Sequence, residues 1–138
     1  MKTVDKERLQ REATLAKVNS YSPYSKFRVG AALLLKNGDI ISGANVENAS
    51  YPCGICAERS VLASAYGKGF RKEDIVAMAL SGDKKEFITP CGMCAQVMSE
   101  LLDPDCILFL INSKNDVKEM KVRKLLPYAF SLDGDKNV

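Results

Sequence analysis

The sequence predicts an α/β protein: a three-layer α/β/α sandwich, one domain over residues 1–138, with a mixed sheet of five strands at its centre. Three observations lead there. Short apolar runs suited to buried strands alternate with segments of helical period, which is the pattern of helices covering a sheet. Hydrophobic residues make up 46% of 138 positions, enough for one core and too few for two. No internal repeat, linker or low-complexity stretch interrupts the chain.

Taken in order, residues 5–18 read as an amphipathic helix with Leu9, Ala13, Ala16 and Val18 on one face. Ser20 to Ser25 carry turn chemistry, and Val29 to Leu35 form an apolar run expected to be a buried strand. Lys36-Asn37-Gly38-Asp39 supplies a turn into a second strand, Ile40 to Asn45, making an antiparallel hairpin. A polar loop from Asn45 to Tyr51 leads through Pro52-Cys53-Gly54 to a helix with Cys56 in its first turn, stopped by Gly67-Lys68-Gly69. Ile75 to Leu80 is a third strand. Thr89 and Pro90 open another helix through Leu102, on which Cys91 and Cys94 share a face. Ile107 to Ile111 and Val117 to Val122 complete the strands, and Leu125-Leu126-Pro127 ends the regular structure.

Composition narrows the function. The chain has no histidine, which removes His-based nucleophilic catalysis and every His-ligated metal site. Its net charge is +3, with basic residues scattered instead of gathered in an aromatic-interleaved stripe, so nucleic acid is not an expected partner. No apolar run is long enough for a bilayer span and the N-terminus lacks a signal-peptide core, so a cytoplasmic location is expected. Five cysteines in such a chain point to metal binding or redox work before a disulfide framework.

Cys56, Cys91 and Cys94 are the candidate metal ligands, and zinc is the metal that thiolates favour. A catalytic zinc takes three protein ligands and keeps a fourth position for water. Glu58, two residues past the first ligand, is placed to move protons beside that water. Helix starts lower thiol pKa values and so favour the ligating form. Three thiolates on a dication leave a net negative charge, and Arg59 is the nearest cation to donate hydrogen bonds to the sulfurs. The pattern of ligand, spacer, Glu and later Pro-Cys-x-x-Cys is that of zinc nucleobase deaminases.

The blocks Ser20 to Phe27, Val29 to Leu33, Asn45 to Tyr51, Cys56 to Arg59, Pro90 to Cys94 with Gln96, and Leu125 to Pro127 with Ala129-Phe130 extend this likeness across nearly the whole chain. Together they resemble the small homotetrameric cytidine deaminases. The resemblance implies that fold, one zinc per subunit on Cys56, Cys91 and Cys94, and Glu58 as proton shuttle. It implies a nucleoside substrate, with Phe27 stacking on the pyrimidine and Asn45 and Glu47 binding ribose hydroxyls. Tyr51 and the backbone around Ala57 would also meet the substrate, and Phe130 would reach a neighbouring subunit's site. The implied activity is hydrolysis of cytidine and deoxycytidine in pyrimidine salvage. A deaminase of another aminopyrimidine nucleoside, such as blasticidin S, is the alternative enzyme. Three positions depart from the family's usual pattern: Ala95 replaces a common Arg, Arg28 a frequent Pro, and Pro52-Cys53-Gly54 adds a cysteine.

That added cysteine keeps a second reading open. Cys53-x-x-Cys56 with Cys91-x-x-Cys94 is also the makeup of a closed four-cysteine structural zinc site, or of a pair of redox motifs. The 34 residues between the pairs exceed the usual zinc-ribbon spacing, and Glu58 would have no role in such a site. Cys53 is expected to be a spectator near the zinc, and Cys106 a small buried hydrophobe.

Overall fold

The structure is a computed structural model that describes residues 1–132. Three helices, α1 (Thr3–Ala16), α2 (Ala57–Gly67) and α3 (Gly92–Leu101), cover a sheet of five strands. These are β1 (Val29–Leu35), β2 (Ile40–Ala44), β3 (Ile75–Gly82), β4 (Ile107–Ile111) and β5 (Val117–Lys121), in the order β2-β1-β3-β4-β5. All neighbours are antiparallel except β3 and β4, which are joined through α3, so the sheet is mixed as expected.

The three layers follow from the alternation of side chains along β1, every residue of which is buried. Ala31, Leu33 and Leu35 point into one core with Val61 and Leu62 of α2 and Met98 of α3. Ala32 and Leu34 point into the other, with Leu9 and Ala13 of α1. Each fully buried leucine contributes roughly 1.5–3 kcal/mol by leaving water. Gly30 permits the close seating of α1 on β1, because a Cβ there would lie 2.1 Å from the Ala13 carbonyl oxygen. β5 forms an edge of the sheet and carries Lys118, Glu119 and Lys121, charges that discourage pairing with another chain.

The strands lie within a residue or two of their expected bounds, and the helix ends show the differences. α1 stops at Ala16 and tightens into a 3₁₀ turn over Lys17–Asn19. That change of pitch turns Val18 off the core face, and it is 76% exposed. α3 begins at Gly92, not at Thr89 and Pro90, which approach it in irregular backbone. Cys56 and Cys91 are N-caps with extended backbone and not first-turn residues. Cys106 is buried just before β4, as expected, and burial pushes its thiol up to about 12.

Candidate active site

The N-termini of α2 and α3 converge. Cys56 caps α2, Cys91 caps α3, and Cys94 is buried in the first turn of α3. Their three Sγ atoms all lie within 4.8 Å of one another. Tetrahedral zinc with ligands at about 2.3 Å requires sulfurs roughly 3.8 Å apart, so the cluster needs little adjustment to hold the ion. Cys53 is outside it: exposed, with its Sγ 3.5 Å from the Ser50 hydroxyl. Among the described residues the group is therefore open, with three thiols and no fourth, which removes the four-cysteine arrangement.

The local charges favour thiolates. The Cys56 thiol is lowered to about 5, chiefly by its hydrogen bond with Cys94 and with help from Arg59 against the opposing effect of burial. The same interaction with Cys56, together with burial and the nearby Glu58, pushes the Cys94 thiol up. Burial opposes the charge of the Arg59 guanidinium, but its interaction with the Cys56 and Cys94 thiols outweighs this and raises it above its ordinary value. Its Nη2 donates to the Gly54 carbonyl at 3.4 Å, while its Nε is buried with no hydrogen-bond partner among the described residues. A buried cationic donor beside clustered sulfurs suits a thiolate-bound metal, whose negative charge it would offset.

Glu58 follows Cys56 by two residues and is only 5% exposed. Burial raises its carboxyl to about 6, and the neighbouring Cys56 thiolate adds to the rise. A carboxyl with a pKa near neutrality can both take and give a proton.

These groups open on a cleft of about 520 Å³. Phe27, Asn45, Glu47, Tyr51 and Ala57 line it together with Cys56, Glu58, Arg59 and Cys91. Seven residues in that wall were not among the expected site residues: Ser25, Val29, Val46, Gly54, Ile55, Ile88 and Thr89. Ile88 offered one signal, a lone aliphatic residue in a charged loop just ahead of Pro90-Cys91. Tyr51 sits at the rim, with its ring 6.2 Å from that of Tyr24. Phe130 does not line its own chain's cleft; it is 69% exposed, and its carbonyl accepts a hydrogen bond from Gln96 Nε2 at 2.9 Å.

Asn45 and Glu47 already have work inside the chain. Asn45 Oδ1 accepts from the Ser20 hydroxyl at 2.6 Å and from the Val29 amide at 3.0 Å, and Nδ2 donates to the Phe27 carbonyl at 3.0 Å. Glu47 Oε1 accepts from the amides of Tyr24 and Ser25, both at 3.0 Å, and Oε2 accepts from the Ser25 hydroxyl. Those bonds, with the Ser25 hydroxyl foremost, hold the Glu47 carboxyl below its usual range. Each side chain keeps hydrogen-bonding capacity free for a ligand, Asn45 one N–H and Glu47 a lone pair on Oε2.

Residues 3–110 match the family model described as "Cytidine and deoxycytidylate deaminase zinc-binding region". A cytidine deaminase from Halalkalibacterium halodurans is 48% identical over 130 residues, covering 94% of this chain and 97% of that protein. The crystal structure of a cytidine deaminase from Burkholderia pseudomallei superposes with a TM-score of 0.87 at 42% identity, covering 94% of this chain and all of the other. A Blasticidin-S deaminase from Bacillus cereus is more distant, at 27% identity over 126 residues. The cofactor is Zn²⁺, in agreement with the matched zinc-binding region and with the three-thiol cluster. With its motif, its fold and its relatives in accord over almost all of its length, the chain belongs to the cytidine and deoxycytidylate deaminase family.

Proposed function

We propose that the protein is a zinc-dependent hydrolase that converts cytidine and deoxycytidine to uridine and deoxyuridine with release of ammonia, serving pyrimidine salvage in the cytoplasm. The observation that carries this reading is Glu58, a buried carboxyl raised to about 6, sharing one cleft with three clustered thiols. Zinc held by three ligands supplies a fourth position at which water is activated as the nucleophile. Glu58 would take one proton from the attacking water as the carbon–oxygen bond forms and deliver it to the ring nitrogen beside the amino-bearing carbon, then pass the remaining hydroxyl proton to the amino group as the carbon–nitrogen bond breaks and ammonia leaves. Arg59 offsets the charge of the sulfurs.

The Phe27 ring stacks on the pyrimidine, and the Ala57 backbone meets the base edge. Asn45 and Glu47 use their remaining hydrogen-bonding capacity on the ribose hydroxyls, with Tyr51 closing the rim. The whole chain acts as one catalytic domain and assembles as a homotetramer. In that assembly Phe130 enters a neighbouring subunit's cleft, a reading supported by its exposure and by its not being among the residues that line the cleft of its own chain.

The test uses zinc-quantified protein mixed with cytidine, following the ultraviolet absorbance change as uridine forms, with Glu58→Gln and blasticidin S run in parallel. Turnover of cytidine that disappears in the variant is the expected result. Zinc at one per chain without turnover of either compound would overturn the reading.

A further inference from the structure

The loop between β3 and α3 carries Lys84, whose Nζ lies 4.9 Å from the centroid of the Phe27 ring. Among the described residues Lys84 has no ion pair, and it is not one of the residues that line the cleft with Phe27. We propose that Lys84 is a positioning residue for Phe27, capping the ring from outside the cleft and holding its plane for a stacked pyrimidine. This rests on the reading of Phe27 as the stacking platform.

The backbone that carries Lys84 is fixed by its neighbours. The Ser113 amide donates to the Lys84 carbonyl at 2.8 Å, and Asn112 Nδ2 donates to the Lys85 carbonyl at 2.9 Å. Asn112 is buried at the end of β4, where its Oδ1 accepts from the amides of Lys114 and Asp116, so the loop is moored to the β4–β5 turn. On the other side, Asp83 ties the residue after Phe27 to the residue before Lys84: Arg28 Nε reaches its Oδ2 at 2.7 Å. Lys17 Nζ meets the same carboxylate at 3.1 Å. Gly82 lets the ring lie against the start of this loop, since a Cβ there would be 3.3 Å from Phe27 Cζ and 2.5 Å from Ile88 Cδ1. The chain is thus pinned on both sides of the ring, the ring packs against the core on the α2 and α3 side of the sheet, and the Lys84 ammonium adds a further contact. A lysine over an aromatic face is attracted by the ring's quadrupole, and at an exposed site the attraction corresponds to about a two- to fivefold effect on an equilibrium.

The experiment is a double-mutant cycle on the zinc-loaded protein, using Lys84→Met, Phe27→Leu and their combination. Each variant is measured for KM and kcat with cytidine and for uridine binding by calorimetry. Methionine keeps the length of the exposed Lys84 side chain while removing its charge. Lys84→Met is expected to raise KM and weaken uridine about two- to fivefold with kcat within about twofold of wild type. Lys84→Arg is expected to restore both, and Lys84→Met is expected to have no effect once Phe27 is leucine. An unchanged KM in Lys84→Met would overturn the proposal. So would a rise that persists in the Phe27→Leu background, because the charge would then act on the substrate and not on the ring. A lower KM would overturn it too, by showing that the ammonium competes with the base. Phe27→Leu with wild-type KM and uridine affinity would instead sink the stacking reading, and the clamp with it.

Discussion

Asn45 and Phe27 are fastened together by a 3.0 Å hydrogen bond from Asn45 Nδ2 to the Phe27 carbonyl, while Asn45 Oδ1 accepts from the Val29 amide two residues further on. One cleft-lining side chain thus holds the backbone on either side of another, the Phe27 ring. Asn45→Ala is expected to destabilise the fold by about 2 kcal/mol, since it strands a part-buried carbonyl and amide as well as the Ser20 hydroxyl. Asn45→Asp keeps the Oδ1 acceptor and should recover part of that loss. Chemical denaturation midpoints of the two variants check this; equal midpoints in wild type and Asn45→Ala would contradict it.

Glu58→Gln is nearly isosteric and removes the proton carrier without touching a thiol. Fold and zinc content should be retained while turnover falls about 10²–10⁴-fold or more. Metal analysis and the cytidine absorbance assay, run on one preparation, decide it. A variant as active as wild type would remove Glu58 from the chemistry.

Cys53 lies outside the three-thiol cluster. Cys53→Ala should keep one zinc per chain and most of the activity, whereas Cys94→Ser should lose the metal. Zinc loss on replacing Cys53 would show that a fourth thiol closes the site.

Asp83 joins Lys17 and Arg28 in a pair of salt bridges. Burial opposes its charge, but the hydrogen bonds from Arg28 and Lys17 outweigh burial and hold its carboxyl below the usual carboxylate range. A carboxyl depressed by folding contributes stability above its unfolded value, near 4, and loses it as pH falls through the folded value below that. Asp83→Asn should therefore cost about 1 kcal/mol near neutrality, a modest figure because Arg28 is half exposed. The gap to wild type should narrow below about pH 4. Thermal unfolding of both proteins across pH 3–8 tests the sign; a gap that widens in acid would refute it.

Much of the site could be read from local pattern. The all-apolar run of β1 marks a strand buried on both faces, and Cys56-x-Glu58 and Cys91-x-x-Cys94 put ligands and carboxylate at helix starts, where thiolates are favoured. Helix ends were harder. The exposed Val18 and the N-cap positions of Cys56 and Cys91 depend on where the chain leaves one backbone conformation for another, and side-chain periodicity does not report that point.

Residue types and short spacings thus carried the makeup of this site: no histidine, hence sulfur for the metal, and a carboxylate two residues past the first thiol. Folding settled which distant groups meet. Cys56 joins Cys91 and Cys94 because α2 and α3 bring their N-termini together, while Cys53, equally well spaced in the sequence, turns to Ser50. Asn45 and Glu47 engage the backbone that carries Phe27, and Lys84 caps its ring across 57 positions of chain. Such contacts come from the packing of elements far apart in sequence, to which no local propensity refers.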